Sequence, residues 1–229
     1  MINDTGVICV SRVIKKGPNT MDKKSDAKRN LILTNAKNVF TRKGYATVTM
    51  KDIIEECGIS RGGIYLYFRS VEQIFMQVIE SHNQQKIKET KQYISENKSF
   101  EQMIDEYLTR QKKRLMNLNN SLLIAMYEYR FANKCDNNRE FFLAQFTYTK
   151  SIILSILNSG FAKSNINNKT KTRDMDALAS SIVLLIEGIS MLAVAVGISE
   201  EFIDSQITVI KQMIFAYQPI RSPDEGGMN

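Results

Sequence analysis

The sequence predicts an all-α protein of about nine helices with no credible strand. Three observations carry this. Apolar residues recur at helical spacing from Ser25 to Tyr217. Breakers are few, with 3 prolines and 11 glycines among 229 residues. Finally, the stretch Thr49 to Phe68 reads as two short helices joined by a tight turn.

Taken in order, the first helix is expected from Ser25 to Lys43, where Ile32, Ala36, Val39 and Phe40 share one face. Gly44-Tyr45 ends it. Thr49 is placed to cap the second helix, with Asp52 and Glu55 in its positively polarised first turns. Ile53, Ile54 and Cys57 form its apolar stripe. Gly58 can take the left-handed conformation that stops it. Ile59 can then tuck inward, and Ser60 can cap a third helix running to Phe68, with Ile64 and Phe68 facing the core. The fourth helix starts near Ser70 and continues through a polar stretch to Lys91.

Helical periodicity resumes at Ser99, with Phe100, Met103, Ile104, Tyr107 and Leu108 on one face before the basic triplet Lys112-Lys113-Arg114. Ser121 to Ala132 and Asn137 to Gly160 give two more helices. The Asn- and Lys-rich stretch from Lys163 to Thr172 reads as an exposed loop. Arg173 to Val196 and Glu200 to Tyr217 are the last two helices. Residues 1–20 and 219–229 read as disordered ends, with Met21 an alternative start.

The segment Thr49 to Phe68 has the grammar of a helix-turn-helix, whose second helix lies in the major groove of DNA. Charge agrees. Met21 to Thr90 carries 12 Lys and Arg against 8 Asp and Glu, whereas Lys91 to Asn229 carries 16 against 15. Positive charge is therefore concentrated around the motif, as an anionic partner requires.

Other classes find little support. Cys9, Cys57 and Cys135 are widely spaced, which argues against a disulfide framework or a zinc site and fits a reduced cytoplasm. The apolar patch Val7 to Val10 is too short for a signal-peptide core. The apolar run Ala177 to Val196 is long enough to span a bilayer, but Glu187 at its centre favours a helix buried at a protein interface over a membrane span. His82 is the single histidine and sits in a polar helix with no cysteine or paired carboxylates at metal-ligand spacing in the sequence. No Gly-rich phosphate loop or nucleophile elbow appears. No cofactor, metal, catalytic residue or enzymatic activity is expected.

The segment Ala27 to Val78 resembles the DNA-binding domain of the tetracycline-repressor (TetR) family of bacterial regulators. The likeness lies in Phe-Thr-Arg-Lys-Gly-Tyr (Phe40 to Tyr45), Thr-Val-Thr-Met-Lys-Asp-Ile-Ile (Thr47 to Ile54) and Cys-Gly-Ile-Ser-Arg-Gly-Gly-Ile-Tyr-Leu-Tyr-Phe (Cys57 to Phe68). The later helices match the family in number and length. The resemblance implies a helix-turn-helix domain at 21–70 and a ligand-binding and dimerisation domain at 71–218. It also implies a homodimer on a near-palindromic duplex operator, released when a small-molecule effector binds the C-terminal helices. Repression is the family's usual outcome. This chain departs from the pattern at Ile54, where alanine is commoner, at Gly62-Gly63, where a small hydroxyl residue often touches DNA, and at Val71, often a phosphate-binding lysine.

On this reading the DNA-facing residues are Thr49, Met50, Lys51, Ser60, Arg61, Gly62, Gly63, Tyr65, Tyr67 and Arg69. Arg61 is suited to read guanine through two parallel hydrogen bonds, or to clamp a phosphate. Gly62 and Gly63 let the backbone approach the groove. Tyr65 and Tyr67 resemble family positions that touch phosphate or a thymine methyl. Thr49 can cap its helix and offer a hydroxyl to phosphate, Lys51 can pair with phosphate, and Arg69 can stand in for the lysine that Val71 replaces. Ser60 serves at least as a cap.

Met103, Tyr107, Met126, Tyr127, Phe131, Phe142 and Phe146 suit either an ordinary core or a pocket for an apolar or aromatic effector. Glu187 can pair with a cationic ligand, or face solvent or a partner chain. For a dimer the expected stripe is Ile182, Leu185, Ile189 and Leu192 with Ile203, Ile207, Ile210 and Ile214, packed as a four-helix bundle from two subunits. The rival reading is a helical protein-interaction module without DNA binding.

Overall fold

A computed structural model of the chain describes residues 20–95, 98–118, 121–132, 137–161 and 168–216. The expected terminal extension up to residue 19, the tail 219–229, Cys9 and Cys135 lie outside them. The described residues form nine α-helices and no strand. They are α1 (Thr20–Lys43), α2 (Met50–Cys57), α3 (Arg61–Tyr65), α4 (Val71–Ser95) and α5 (Phe100–Met116). After these come α6 (Leu122–Ala132), α7 (Asn137–Phe161), α8 (Asn168–Val196) and α9 (Glu200–Ala216).

Several boundaries differ from the sequence expectation, that of the fourth helix among them, which runs on from Lys91 to Ser95. The first helix begins at Thr20, so Met21 lies in its first turn. The helix expected to reach Phe68 closes at Tyr65, although Tyr67 and Phe68 still donate their N–H groups to the Ile64 carbonyl, at 2.9 and 3.0 Å. The stretch expected as a loop up to Thr172 is already helical from Asn168, while residues 163–167 lie outside the described set. Polarity alone misled there, because Lys and Arg are good helix formers.

Contacts divide the chain into two compact units. Described residues up to Ser81 join Ala125–Ala144 in the first, and His82–Ile124 join Gln145 onward in the second. The first unit is thus built from two separate parts of the sequence.

In the first unit, Ile32, Ala36, Val39 and Phe40 of α1 are fully buried at the expected spacing, together with Ile53, Ile64, Phe68, Ile74 and Phe75. Burial of each Val, Ile or Phe side chain among them contributes roughly 1.5–3 kcal/mol. An aromatic cluster fills the rest. Phe75 packs edge-on to Phe40 with centroids 4.9 Å apart, and Tyr129 of α6 meets Tyr45 at 4.9 Å and Phe75 at 5.2 Å.

In the second unit α5 packs on α8 and α9, and α8 packs on α9. Its core includes Ile104 and Leu108 on α5, Ile156 and Leu157 on α7, Ile182 and Ile186 on α8, and Ile210 on α9. The segment Met175–Val196 is long and apolar enough to cross a membrane by length and composition, and a third of its most apolar window is buried within the chain.

Candidate nucleic-acid interface

Local chemistry builds the helix-turn-helix. Thr49 caps α2 in a capping box: its hydroxyl oxygen accepts the Asp52 N–H, and the Asp52 carboxylate accepts the Thr49 N–H at 2.8 Å. Gly58 then closes α2 at φ 60 and ψ 26, the left-handed region that glycine occupies without strain. Ser60 caps α3, its hydroxyl accepting the Gly63 N–H at 3.2 Å.

Ion pairs fix α1 against α2. Arg42 bonds Glu56 at 2.7 Å and Lys43 bonds Asp52 at 2.5 Å. Hydrogen bonds from Lys43 and then from Thr49 hold the Asp52 carboxyl well below its ordinary range. The Thr49 hydroxyl also donates to Asp52 Oδ2 at 2.7 Å. In this structure the hydroxyl thus serves the cap from both sides, accepting from the Asp52 N–H and donating to its carboxylate.

The outward face of α3 is sparse and cationic. Arg61 is exposed and its guanidinium lies over the Tyr65 ring, 5.6 Å from the centroid, one helical turn on. Such a contact contributes about 0.5–1 kcal/mol at an exposed site and aligns both side chains on one face. Tyr65 is exposed and Tyr67 half-buried. Between them Leu66 stands 82% exposed, the most exposed large apolar side chain among the described residues. Lys51 and Arg69 are exposed, and Lys51 is only loosely paired to Glu55 at 3.8 Å. Met50 is half-buried.

The two glycines of α3 differ. A Cβ on Gly62 would meet nothing within 4 Å, whereas one on Gly63 would lie 2.7 Å from Ile59 Cγ2. Gly63 thus lets α3 pack on the turn, and Gly62 leaves open space on the outward side.

Two consecutive residues of α6 grip this assembly from within the same unit. Glu128 Oε2 accepts the backbone N–H of Tyr45 at 2.5 Å and of Ala46 at 2.9 Å. Tyr129 donates its hydroxyl to Glu72 Oε1 of α4 at 2.9 Å. Burial, reinforced by the Glu72 carboxylate, raises the Tyr129 phenol above its ordinary range. A Cβ on Gly44, at φ +75, would collide with the Glu128 carboxylate.

With this geometry in view, the model of the "Bacterial regulatory proteins, tetR family" matches residues 32–78, and that of the "Tetracyclin repressor-like, C-terminal domain" matches residues 103–204. Together they cover more than half of the chain. The protein belongs to the TetR family of transcriptional regulators. It is similar to the uncharacterized HTH-type transcriptional regulator YfiR of Bacillus subtilis, 36% identical over 112 residues, or 49% of this chain and 54% of that protein. The regulator YerO of the same organism is 38% identical over 53 residues, 23% of this chain and 18% of that one. The chain thus matches about half of the first relative and less of the second. A TetR-family regulator from Cytophaga hutchinsonii shares the fold at TM-score 0.65 and 18% identity, over 90% of this chain and all of that one. Another regulator, from Saccharomonospora viridis and solved with choline, shares it at TM-score 0.63 and 19% identity, over 86% of this chain and all of the other. The family and fold of this TetR-family chain are those of DNA-binding regulators rather than enzymes.

The expected effector set is split. Met126, Tyr127, Phe131 and Phe142 fall in the first unit, and Met103, Tyr107, Phe146 and Glu187 in the second. Met103, Tyr107 and Tyr127 are buried, Met126, Phe142, Phe146 and Glu187 half-buried. Phe131 is 62% exposed, so it does not line an enclosed pocket of this chain.

The expected dimer stripe needs correction. Ile182, Ile189, Ile203, Ile210 and Ile214 are buried inside the chain, Leu185 and Ile207 are half-buried, and Leu192 is exposed. The exposed apolar side chains of α8 and α9 are instead Leu184, Met191, Leu192, Val194, Val196, Phe202, Val209 and Phe215. Leu184, Leu185, Gly188, Ile189, Leu192 and Phe202 line an open apolar groove there. Both helices are apolar on two faces, so periodicity alone could not say which faces inward.

Proposed function

We propose that the chain is an effector-responsive repressor that binds a near-palindromic operator as a homodimer through the helix-turn-helix domain, residues 21–70. The observation that carries this reading is the exposed face of α3, where Arg61 and Tyr65 are stacked and Leu66 projects beside them. Arg61 suits guanine O6 and N7, Leu66 suits a thymine methyl, and Lys51, Arg69 and Tyr67 suit flanking phosphates. Gly62 supports close approach of the backbone to the groove.

Residues 71–218 supply dimerisation and effector binding in this proposal. The exposed apolar face of α8 and α9 supports an isologous contact with a second copy, which would place two recognition helices on adjacent half-sites. Small-molecule response is supported by the match to the family's C-terminal domain and, at the level of fold, by the choline captured in the Saccharomonospora viridis regulator. A DNA-binding regulator of this kind works in the cytoplasm.

Titration of the protein against a randomised duplex pool at rising salt tests the reading. Enrichment of an inverted repeat, with affinity falling steeply as salt rises, is the expected result. Absence of duplex binding at low salt would favour the helical interaction module instead.

A further inference from the structure

We propose that the DNA-binding surface extends beyond the helix-turn-helix onto α1, where Arg29 forms a preset clamp for a backbone phosphate of duplex DNA. This rests on the reading that α3 binds duplex DNA.

Two glutamines of α4 carry the placement. Gln73 and Gln77 lie four residues apart and so share one face of that helix. Gln73 Oε1 accepts the backbone N–H of Arg69 at 2.7 Å. Gln77 Oε1 accepts the Arg29 guanidinium from both Nε and Nη2, at 3.1 and 2.5 Å. The two anchor points are therefore about 6 Å apart along the helix axis. The same guanidinium lies over the ring of the buried Phe68, 5.6 Å from its centroid. Phe68 is the chain neighbour of both Tyr67 and Arg69. Arg29, Phe68, Arg69 and Gln77 all belong to the first unit. Arg29 is thus fixed from two sides, next to the residues suited to flanking phosphates.

Its charge is not cancelled by its anchor. Arg42 and Lys43, at the other end of α1, are paired with the carboxylates of Glu56 and Asp52. Arg29 is exposed and is held by a neutral amide instead. Glu72, in the first turn of α4, is bonded to the Tyr129 hydroxyl of α6. Asp26, one turn before Arg29 on α1, is exposed and forms no ion pair with it. A bridge that served packing alone would gain from a carboxylate, as at Glu56 and Asp52. A neutral acceptor orders the side chain and leaves its full charge outward.

The amide takes the Nε–Nη2 side of the fork. The Nη1–Nη2 edge can then give two parallel N–H bonds to phosphate oxygens. Because the side chain is ordered beforehand, binding loses less rotamer freedom. Lys28, the preceding residue, is exposed and adds to the local positive field.

The test is titration of the full chain against two duplexes at rising salt: the inverted repeat enriched from the randomised pool, and a scrambled duplex of equal length. The native sequence is compared with R29M, R29K, Q77E and R61A. R29M is expected to bind both duplexes about 10-fold more weakly at low salt, because a phosphate contact carries no sequence information. Its salt slope should fall by about 0.9 for each subunit bound. R29K keeps the charge without the fork and should recover the slope and part of the affinity. Q77E gives Arg29 a carboxylate partner, which preserves the test if R29M fails to fold. It should melt at or above the native temperature, since the bridge becomes an ion pair, yet weaken binding to both duplexes. R61A should lose the inverted repeat alone. Native affinity and slope in R29M, native binding by Q77E, or equal losses in R29M and R29K with lowered melting temperatures would overturn the clamp. If R61A still loses the inverted repeat in those cases, the reading of α3 stands. Failure of the native chain to bind either duplex at low salt would overturn both.

Discussion

Glu128 receives the Tyr45 backbone N–H on the same carboxylate oxygen that receives the N–H of Ala46. A side chain of α6 thereby fixes the turn that leads into α2, some eighty residues earlier in the sequence. Glu128→Ala removes the acceptor from two backbone donors at once and should cost about 2–3 kcal/mol, the range for a charged partner lost at a partly buried site. Because both bonds fall on one oxygen, Glu128→Gln should recover much of the loss. Chemical denaturation of the two variants, with hydrogen exchange at Tyr45 and Ala46, checks this; equal loss in both would mean that charge, not the acceptor, matters.

The glycines of α3 should respond in opposite ways. Gly63→Ala forces a Cβ against Ile59 and should destabilise the protein by about 1–3 kcal/mol. Gly62→Ala adds a methyl in open space at a helical position and should be neutral or stabilise by about 0.4–1 kcal/mol. If the backbone at Gly62 approaches the groove, that same variant binds DNA less well despite its stability. Melting curves and DNA titrations on both variants separate folding from recognition.

Asp52 links the α2 cap to pH. Its folded pKa is depressed below the ordinary value of 3.8 by Lys43 and Thr49. A depressed carboxylate stabilises the fold above its unfolded pKa and loses that contribution as pH falls toward the folded one. The melting-temperature gap between the native chain and Asp52→Asn should therefore be full near about pH 7 and close below about pH 4. A gap that does not narrow as the pH falls below about 4 would contradict the linkage.

The outer face of α8 and α9 should control assembly. Leu184 is 63% and Val209 47% exposed, so glutamate at both positions leaves the core of the chain intact. In a dimer built on this face the charges would be buried unpaired, at a cost of about 3–5 kcal/mol. Sedimentation should show a folded monomer. A dimer of undiminished affinity would move the interface elsewhere.

The sequence made the helices and the capping chemistry legible because each rests on local rules. Thr49, Gly58 and Ser60 act where their residue types act in any chain. What periodicity could not deliver was any choice between two apolar faces of one helix, as Ile182 against Leu184 shows. Long-range polar contacts were equally invisible. Glu128, the sole carboxylate of α6, carried a hint only in its isolation among apolar neighbours, and Arg114 was hidden in a basic triplet whose members take three different paths. Leu66, 82% exposed between the buried Ile64 and Phe68, is not singled out by the sequence, because its aliphatic side chain carries no signal of exposure.

Recognition of DNA by α3 is the central claim, and a genomic DNA pull-down with the purified protein and its Arg61→Ala variant tests it most directly. The account predicts a short inverted repeat near a promoter, enriched by the native protein and lost with the variant, whose melting temperature stays native. A site bound equally by the variant, or no enriched site at low salt, would contradict it.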